Sequence, residues 1–235
     1  MPGDLLVAPV GHDAALYAVR HWHYSRTLPA GKTVRFGAWE AGRYIGVVIY
    51  SRGATPVLGA RYGMTQLECV ELTRVALREH ETPVSQIVAA SLRQLRATNP
   101  GLRLVVSFAD PGEGHHGGIY QAGNWIYTGS MEQREYFVVR GKLMHPRSVG
   151  ANGWRQSLPW LQRFVDPRAH TVKKPGKHRY LYPLDKATRR AIRRLAKPYP
   201  HAVEASEVTR PASGRESRVR SPATAPTTRT GGEHG

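Results

Sequence analysis

The sequence predicts a mixed α/β fold in which one amphipathic helix joins two central strands. Three observations carry this. Val84, Ile87, Val88, Leu92 and Leu95 recur at helical spacing, with Thr82 and Pro83 as a start signal and Asn99, Pro100 and Gly101 as a stop. Residues 104–109 (LVVSFA) are a continuous run, as expected of a strand covered on both faces. Residues 34–39 and 44–50 are strand-like and flank a Glu-Ala-Gly turn.

In chain order, residues 13–21 form a short helix and the 34–39/44–50 pair a hairpin. Residues 71–76 (ELTRVA) form a further strand. Thr82 offers the N-cap of the central helix and Pro83 its first position. After the 104–109 strand, residues 118–123 form a short helix, and 125–129 and 136–140 two more strands. A helix between two strands of one sheet implies a right-handed crossover. The domain is read as residues 1–184, followed by a basic helical arm, 185–197. The Pro-, Ser-, Thr- and Arg-rich tail, 198–235, is too poor in apolar side chains to offset its ordering entropy and is expected to be disordered.

Lys and Arg number 34 against 17 Asp and Glu, a formal net charge of +17. Such an excess calls for a polyanionic partner, with nucleic acid the first candidate and solubility or attraction to a membrane surface the plain alternatives. The charge concentrates where Lys173, Lys174, Lys177, Arg179, Arg189 and Arg190 fall among Tyr180, Tyr182 and Tyr199. Phosphate contacts are the physical use of such a run; a solvated helix face is the plain alternative. Cys69 is the single cysteine, which excludes an internal disulfide and a cysteine zinc cluster. The first residues show no basic segment followed by a long apolar one, and no stretch is apolar enough to span a membrane, so a cytoplasmic location is expected, within a host cell if the chain is phage-encoded.

Several constellations suggest chemistry. His21, Trp22, His23, Tyr24 and Ser25 gather imidazole, phenol and hydroxyl groups, either metal donors or a solvated helix end. Arg74 lies within an otherwise apolar strand and needs an anionic partner: a substrate, a phosphate, or simply Glu68 or Glu71. Asp110 ends the 104–109 strand before a loop rich in Gly, with His115 and His116. Sites in α/β sheets lie at such strand ends. Asp110 is therefore a candidate metal ligand or base, or else caps the following turn. Tyr120 is either a general acid or a core aromatic. Trp22, Trp39 and Trp125 are candidates for stacking on a base or for the core.

The segment 119–125 (IYQAGNW) is similar to the Leu-Tyr-x-x-x-Gly-Phe segment of GCN5-related N-acetyltransferases. More closely, the chain resembles the Mom family of phage proteins over about residues 15–185. His23, Tyr24 and Ser25, the 71–74 and 107–110 segments, the Gly-His run to Tyr120, and residues 177–180 carry the resemblance in order and spacing. It implies an acetyltransferase-like fold, double-stranded DNA as the polyanionic partner, and conversion of adenine in that DNA to an N6-carbamoylmethyl derivative that shields phage DNA from restriction. It also implies His23, Tyr24, Asp110 and Tyr120 as a metal or active-site cluster, with iron as the metal. Arg74 is the implied essential arginine, and Ser85 a hydroxyl at a helix start near the donor. The implied donor is an acyl-CoA or another glycine-derived compound. The stretch 77–85 (LREHETPVS) departs from the phosphate-binding loop of acetyltransferases. It has no glycine, Pro83 lacks an amide donor, and Glu79 and Glu81 repel phosphate. An acetyltransferase acting on another amine and a non-enzymatic DNA-binding protein are the alternatives.

Overall fold

The computed structural model of the protein describes residues 4–53, 55 and 57–200. The chain begins with β1 (Leu5–Pro9) and α1 (His12–Trp22), then β2 (Thr33–Glu40), β3 (Arg43–Ser51) and β4 (Cys69–Leu77). Ala41 and Gly42 turn the β2–β3 hairpin at φ of 49° and 73°, a two-residue connection whose twist matches that of the strands. α2 (Val84–Thr98) crosses to β5 (Leu104–Ala109), which lies parallel to β4. α3 (Gly118–Ala122), β6 (Ile126–Ser130), β7 (Arg134–Val139), β8 (Lys142–Met144), α4 (Pro146–Ala151), α5 (Leu158–Phe164), β9 (His170–Lys174), β10 (His178–Pro183) and α6 (Lys186–Arg193) follow.

The main sheet has seven strands in the order β1-β2-β3-β4-β5-β10-β6, with β4–β5 its one parallel pair among the described residues. A second sheet, β8-β7-β9, has its own core of Phe137, Val139, Val149, Leu161 and Ala169. On one face of the main sheet, Ile87, Val88, Leu92 and Leu95 of α2 pack on Phe36, Val48, Tyr50, Val70 and Val105. Fully burying one such aliphatic side chain contributes roughly 1.5–3 kcal/mol, which explains why this stripe fixes α2 despite its β-branched residues. On the other face, Ala15, Ala18 and Val19 of α1 meet Val47, Ile49 and Ala76. Their small size lets the helix lie close to the strands.

One expectation is corrected. Thr82 is not the cap of α2: Pro83 holds that position, and the buried Thr82 hydroxyl donates to the Glu40 carboxylate. Of the two readings open for Trp125 the structure takes the core one, since it is 1% exposed and within ring contact of Tyr120 and Tyr182. The 185–197 segment contains α6, which docks through buried Ile192 on Leu104, Val106 and Leu181. Most of the expected tail, residues 201–235, lies outside the described residues.

Candidate active site

β4 and β5 pair from Cys69 and Leu104 to Leu72 and Ser107. Beyond Leu72 and Ser107 the pairing stops, and a cavity of about 470 Å³ opens there, beside the start of α2. The sequence dictates this break. Opposite β3, Arg74 faces Ile49 and Leu72 faces Tyr50, which leaves Thr73 as an extra residue. Such a bulge re-aims the side chains that follow it. Leu72 joins the α2-side core whereas Ala76 joins the α1-side core, and Arg74 shares the parity of Ala76. Arg74 therefore lies on the side of α1 and the loop after it.

The cavity brings together His23, Tyr24, Arg74, Asp110, His115 and Tyr120, which come from four separate parts of the chain. Ser85, in the first turn of α2, is half-buried and is not part of the lining, although its neighbour Val84 is. Arg74 is half-buried; its Nε donates to the Thr27 carbonyl at 3.2 Å and its Nη1 to the Thr73 carbonyl at 2.8 Å. Burial lowers its proton affinity, while Tyr24 and Glu71 raise it. Glu68 is not its partner: that carboxylate accepts from Thr65 and pairs with Arg103.

Asp110 does two jobs that the sequence presents as rivals. Its Oδ1 accepts from the Gly112 amide at 3.0 Å, capping the turn, while Oδ2 pairs with Lys177 Nζ at 3.0 Å. Burial acts to lower the Lys177 pKa, but the hydrogen bond and charge of Asp110 outweigh it and leave the ammonium above its usual value. Tyr120 is buried. Ser107 Oγ lies 2.9 Å from the Leu72 carbonyl and 2.8 Å from the Tyr120 hydroxyl. The carbonyl can only accept, so Ser107 donates to it and the phenol donates to Ser107. Burial pushes the Tyr120 pKa to about 12, so the phenol keeps its proton, turned inward.

His23 Nδ1 accepts from the Ser25 amide at 3.1 Å, which places the imidazole proton on Nε2. Burial, then Arg74 and His115, lower its pKa from 6.5 to about 4. At neutral pH His23 is thus an uncharged N–H donor. Because the folded pKa is the lower one, the unfolded chain takes up protons first. The stability His23 contributes is complete above about pH 6.5 and falls as the pH drops toward about 4. An NMR titration of the folded protein should show His23 protonating near pH 4, well below an ordinary exposed histidine; a midpoint near 6.5 would contradict this environment.

These bonds bear on the metal and on the acyl-CoA that the sequence resemblance implies. Ligation through His23 Nε2 would require the proton to move to Nδ1, against the Ser25 amide. Both Asp110 oxygens and the Tyr120 hydroxyl are engaged. Among the described residues, no three His, Cys, Asp or Glu side chains form a metal-binding group. A metal at this cluster would therefore have to displace some of these hydrogen bonds. At the start of α2, the Glu81 and Thr82 amides donate to the Glu40 carboxylate at 2.9 and 2.7 Å. These hydrogen bonds, with the Thr82 hydroxyl foremost, hold the Glu40 pKa near 2. An acidic side chain thus already occupies two of the amides just before α2.

The basic residues divide into two groups. Lys174 and Lys177 line a second cavity of about 390 Å³ that shares Phe108 and Asp110 with the first and adds Arg134, His145 and Arg147. Lys173 is exposed beside them on β9, and Lys174 also lies near Glu113 at 4.0 Å. Arg179 donates to Thr128. Exposed Arg189 and Arg190 lie on α6, which follows the end of β10 opposite the start of β5 and so lies away from Asp110. Trp22 lines the first cavity, whereas Trp39 packs on Tyr44. Sequence reasoning missed Glu40, Ser107 and the pairing of Lys177 with Asp110. Only Lys177 left a signal, and the basic run around it masked that signal.

An antiparallel meander, one parallel pair bridged by a helix, and a polar cavity where that pair separates define an acetyltransferase-like class of α/β protein. Known proteins place the chain further. The model of the Mom protein family matches residues 4–201, and the chain belongs to that family. It is 27% identical over 206 residues to the methylcarbamoylase Mom of Escherichia phage Mu, covering 84% of each chain. Similar solved structures include a spermidine N-acetyltransferase from Vibrio cholerae, with TM-score 0.45 and 11% identity over 79% of this chain and 97% of that one. An N-acetyltransferase from Staphylococcus aureus Mu50 aligns with TM-score 0.40 and 9% identity over 77% and 97% of the two chains. No helix among the described residues is long and apolar enough to cross a membrane.

Proposed function

We propose that this protein transfers a glycine-derived carbamoylmethyl group to N6 of adenine in DNA, a modification suited to shielding phage DNA from restriction. The observation that carries the reading is the gathering of His23, Arg74 and Asp110 around one cavity at the end of the parallel strand pair. Cavities of a few hundred Å³ suit a single base with a small donor. A base inside a duplex is unreachable, so the adenine leaves the stack to enter. Tyr24 and Phe108 in the lining offer it aromatic surface.

The adenine N6 lone pair is delocalised into the ring, so the amine needs help from a base. In this reading N6 attacks the methylene carbon of the donor. The bond from that carbon to the leaving group breaks, and the N6 proton passes to Asp110. Arg74 and the His23 N–H carry the developing negative charge. Glu40 occupies the Glu81 and Thr82 amides just before α2, which favours a glycine-derived donor recognised without a pyrophosphate. The same occupancy disfavours an acetyltransferase acting on another amine.

Nucleoside mass spectrometry of DNA from bacteria expressing the protein tests this. The expected result is a new deoxyadenosine carrying one carbamoylmethyl group, absent with empty vector. Unmodified DNA from cells rich in folded protein, supplied with phage-infected extract as a source of donor, would count against it.

A further inference from the structure

A cluster of unpaired positive charge lies away from the cavity just described. A further cleft of about 420 Å³ runs between the C-terminal half of α2 and the start of α6, floored by Leu92, Tyr182 and Leu184. Arg93 and Arg96 line it from α2, and Lys186 and Arg189 from α6. All four are exposed. None of the four side chains has an ion-pair or hydrogen-bond partner among the described residues. The one acid in the wall, Asp185, is already engaged: it accepts from the Thr188 amide and hydroxyl and pairs with Arg103. Arg189 also lines the next depression along α6, where Arg193 and Lys197 stand, so the positive surface continues past the cleft.

A surface of this kind costs free energy through self-repulsion unless a polyanion covers it. Position says which polyanion. α2 has its first turn at the catalytic cavity, which Val84 lines, and its last turns at the cleft, which Arg96 lines. At 1.5 Å per residue these points are roughly 18 Å apart. That is the span of about five base-pair steps of duplex DNA at 3.4 Å each. The cleft is too far away to hold the target nucleotide, and it is too cationic and too open for a neutral ligand.

We propose that the α2–α6 cleft is a second, non-catalytic site that grips the phosphate backbone of duplex DNA about half a helical turn from the adenine being modified. The choice of DNA as the polyanion rests on the function proposed above. The cleft anchors the duplex while the base is withdrawn, and unstacking needs such an anchor because it costs a few kcal/mol.

The test is DNA binding by fluorescence anisotropy over a range of salt, using the full-length chain, a duplex of about 30 base pairs, and the triple variant Arg93→Ala, Arg96→Ala, Arg189→Ala. Each lost phosphate contact lowers the slope of log K against log salt by about 0.9. The variant should therefore bind about ten-fold or more weakly, with a slope reduced by about 2 to 3. A control variant loses the same charge elsewhere, at exposed Arg20, Arg43 and Arg52, and should keep both the affinity and the slope. Unchanged affinity and slope in the cleft variant would overturn the cleft and leave the proposed reaction standing, as would an equal loss in the control. Cleft-dependent binding by a wild-type protein that leaves DNA unmodified would sink the proposed reaction and leave the cleft standing.

Discussion

DNA from cells producing Asp110→Asn should carry at least about 100-fold less modified deoxyadenosine than DNA from cells producing the wild type, the scale of a lost general base. The substitution is nearly isosteric. An amide oxygen still accepts from Gly112, so the turn after β5 keeps its cap. Lys177 loses its anionic partner, but its side chain is 41% exposed and rehydrates at little cost. The change therefore separates chemistry from folding. The thermal midpoint should shift by no more than several degrees, since the pair is open to solvent on its Lys177 side and the turn keeps its cap. Retention of the adduct at wild-type levels would remove Asp110 from the reaction. A collapse of the midpoint would instead show that the turn, and not the base, was lost.

Arg74→Met should lower modification by about 100- to 1000-fold, as expected when a preorganised cation is taken from a site of developing negative charge. This variant carries a second readout, which reports whether Arg74 and His23 share the cavity. Arg74 is one of the charges holding the His23 pKa down near 4, behind burial and ahead of His115. Its removal should raise the His23 midpoint in an NMR titration, while burial keeps it below the usual value of 6.5. Loss of activity with an unmoved His23 midpoint would mean that the two side chains do not share the cavity as described.

The elements legible in the sequence are those built from local contrast. The stripe of α2, the β2–β3 hairpin and the 104–109 run show themselves within a dozen residues each, and the structure places them within a residue or two of expectation. β10 does not. Its sequence, HRYLYP, is half polar, and it becomes a buried strand only because β5 and β6 flank it, with Tyr180 opposite Ser107 and Tyr127. In the small sheet β8-β7-β9 the 136–140 strand is legible as β7, whereas three-residue β8 and β9, whose pairing with β7 spans some thirty residues of chain, are not. The site shows the same division. Asp110 could be read from its place at a strand end. Its pairing with Lys177 required knowing that β10 lies beside β5. Glu40 appeared as one more charge in a turn, and only the fold brings its carboxylate to the amides before α2.

The bulge at Thr73 sets a constraint counted in chain length. One surplus residue decides which side of the sheet receives Arg74, because strand side chains alternate with period two. Many side chains could stand at position 73 with little effect, since any of them supplies the extra step of backbone. Deleting the residue would leave Leu72 opposite Tyr50 and Arg74 opposite Ile49 in a regular ladder, so Arg74 would keep its side. Drawing Thr73 into the ladder opposite Ile49 would instead turn Arg74 toward the apolar α2 face and Val75 toward the cavity, exchanging a buried hydrocarbon for a buried cation. Variation across this stretch is therefore expected to accept substitution, and even loss, at position 73 and to exclude single-residue insertions and deletions between Arg74 and Ala76.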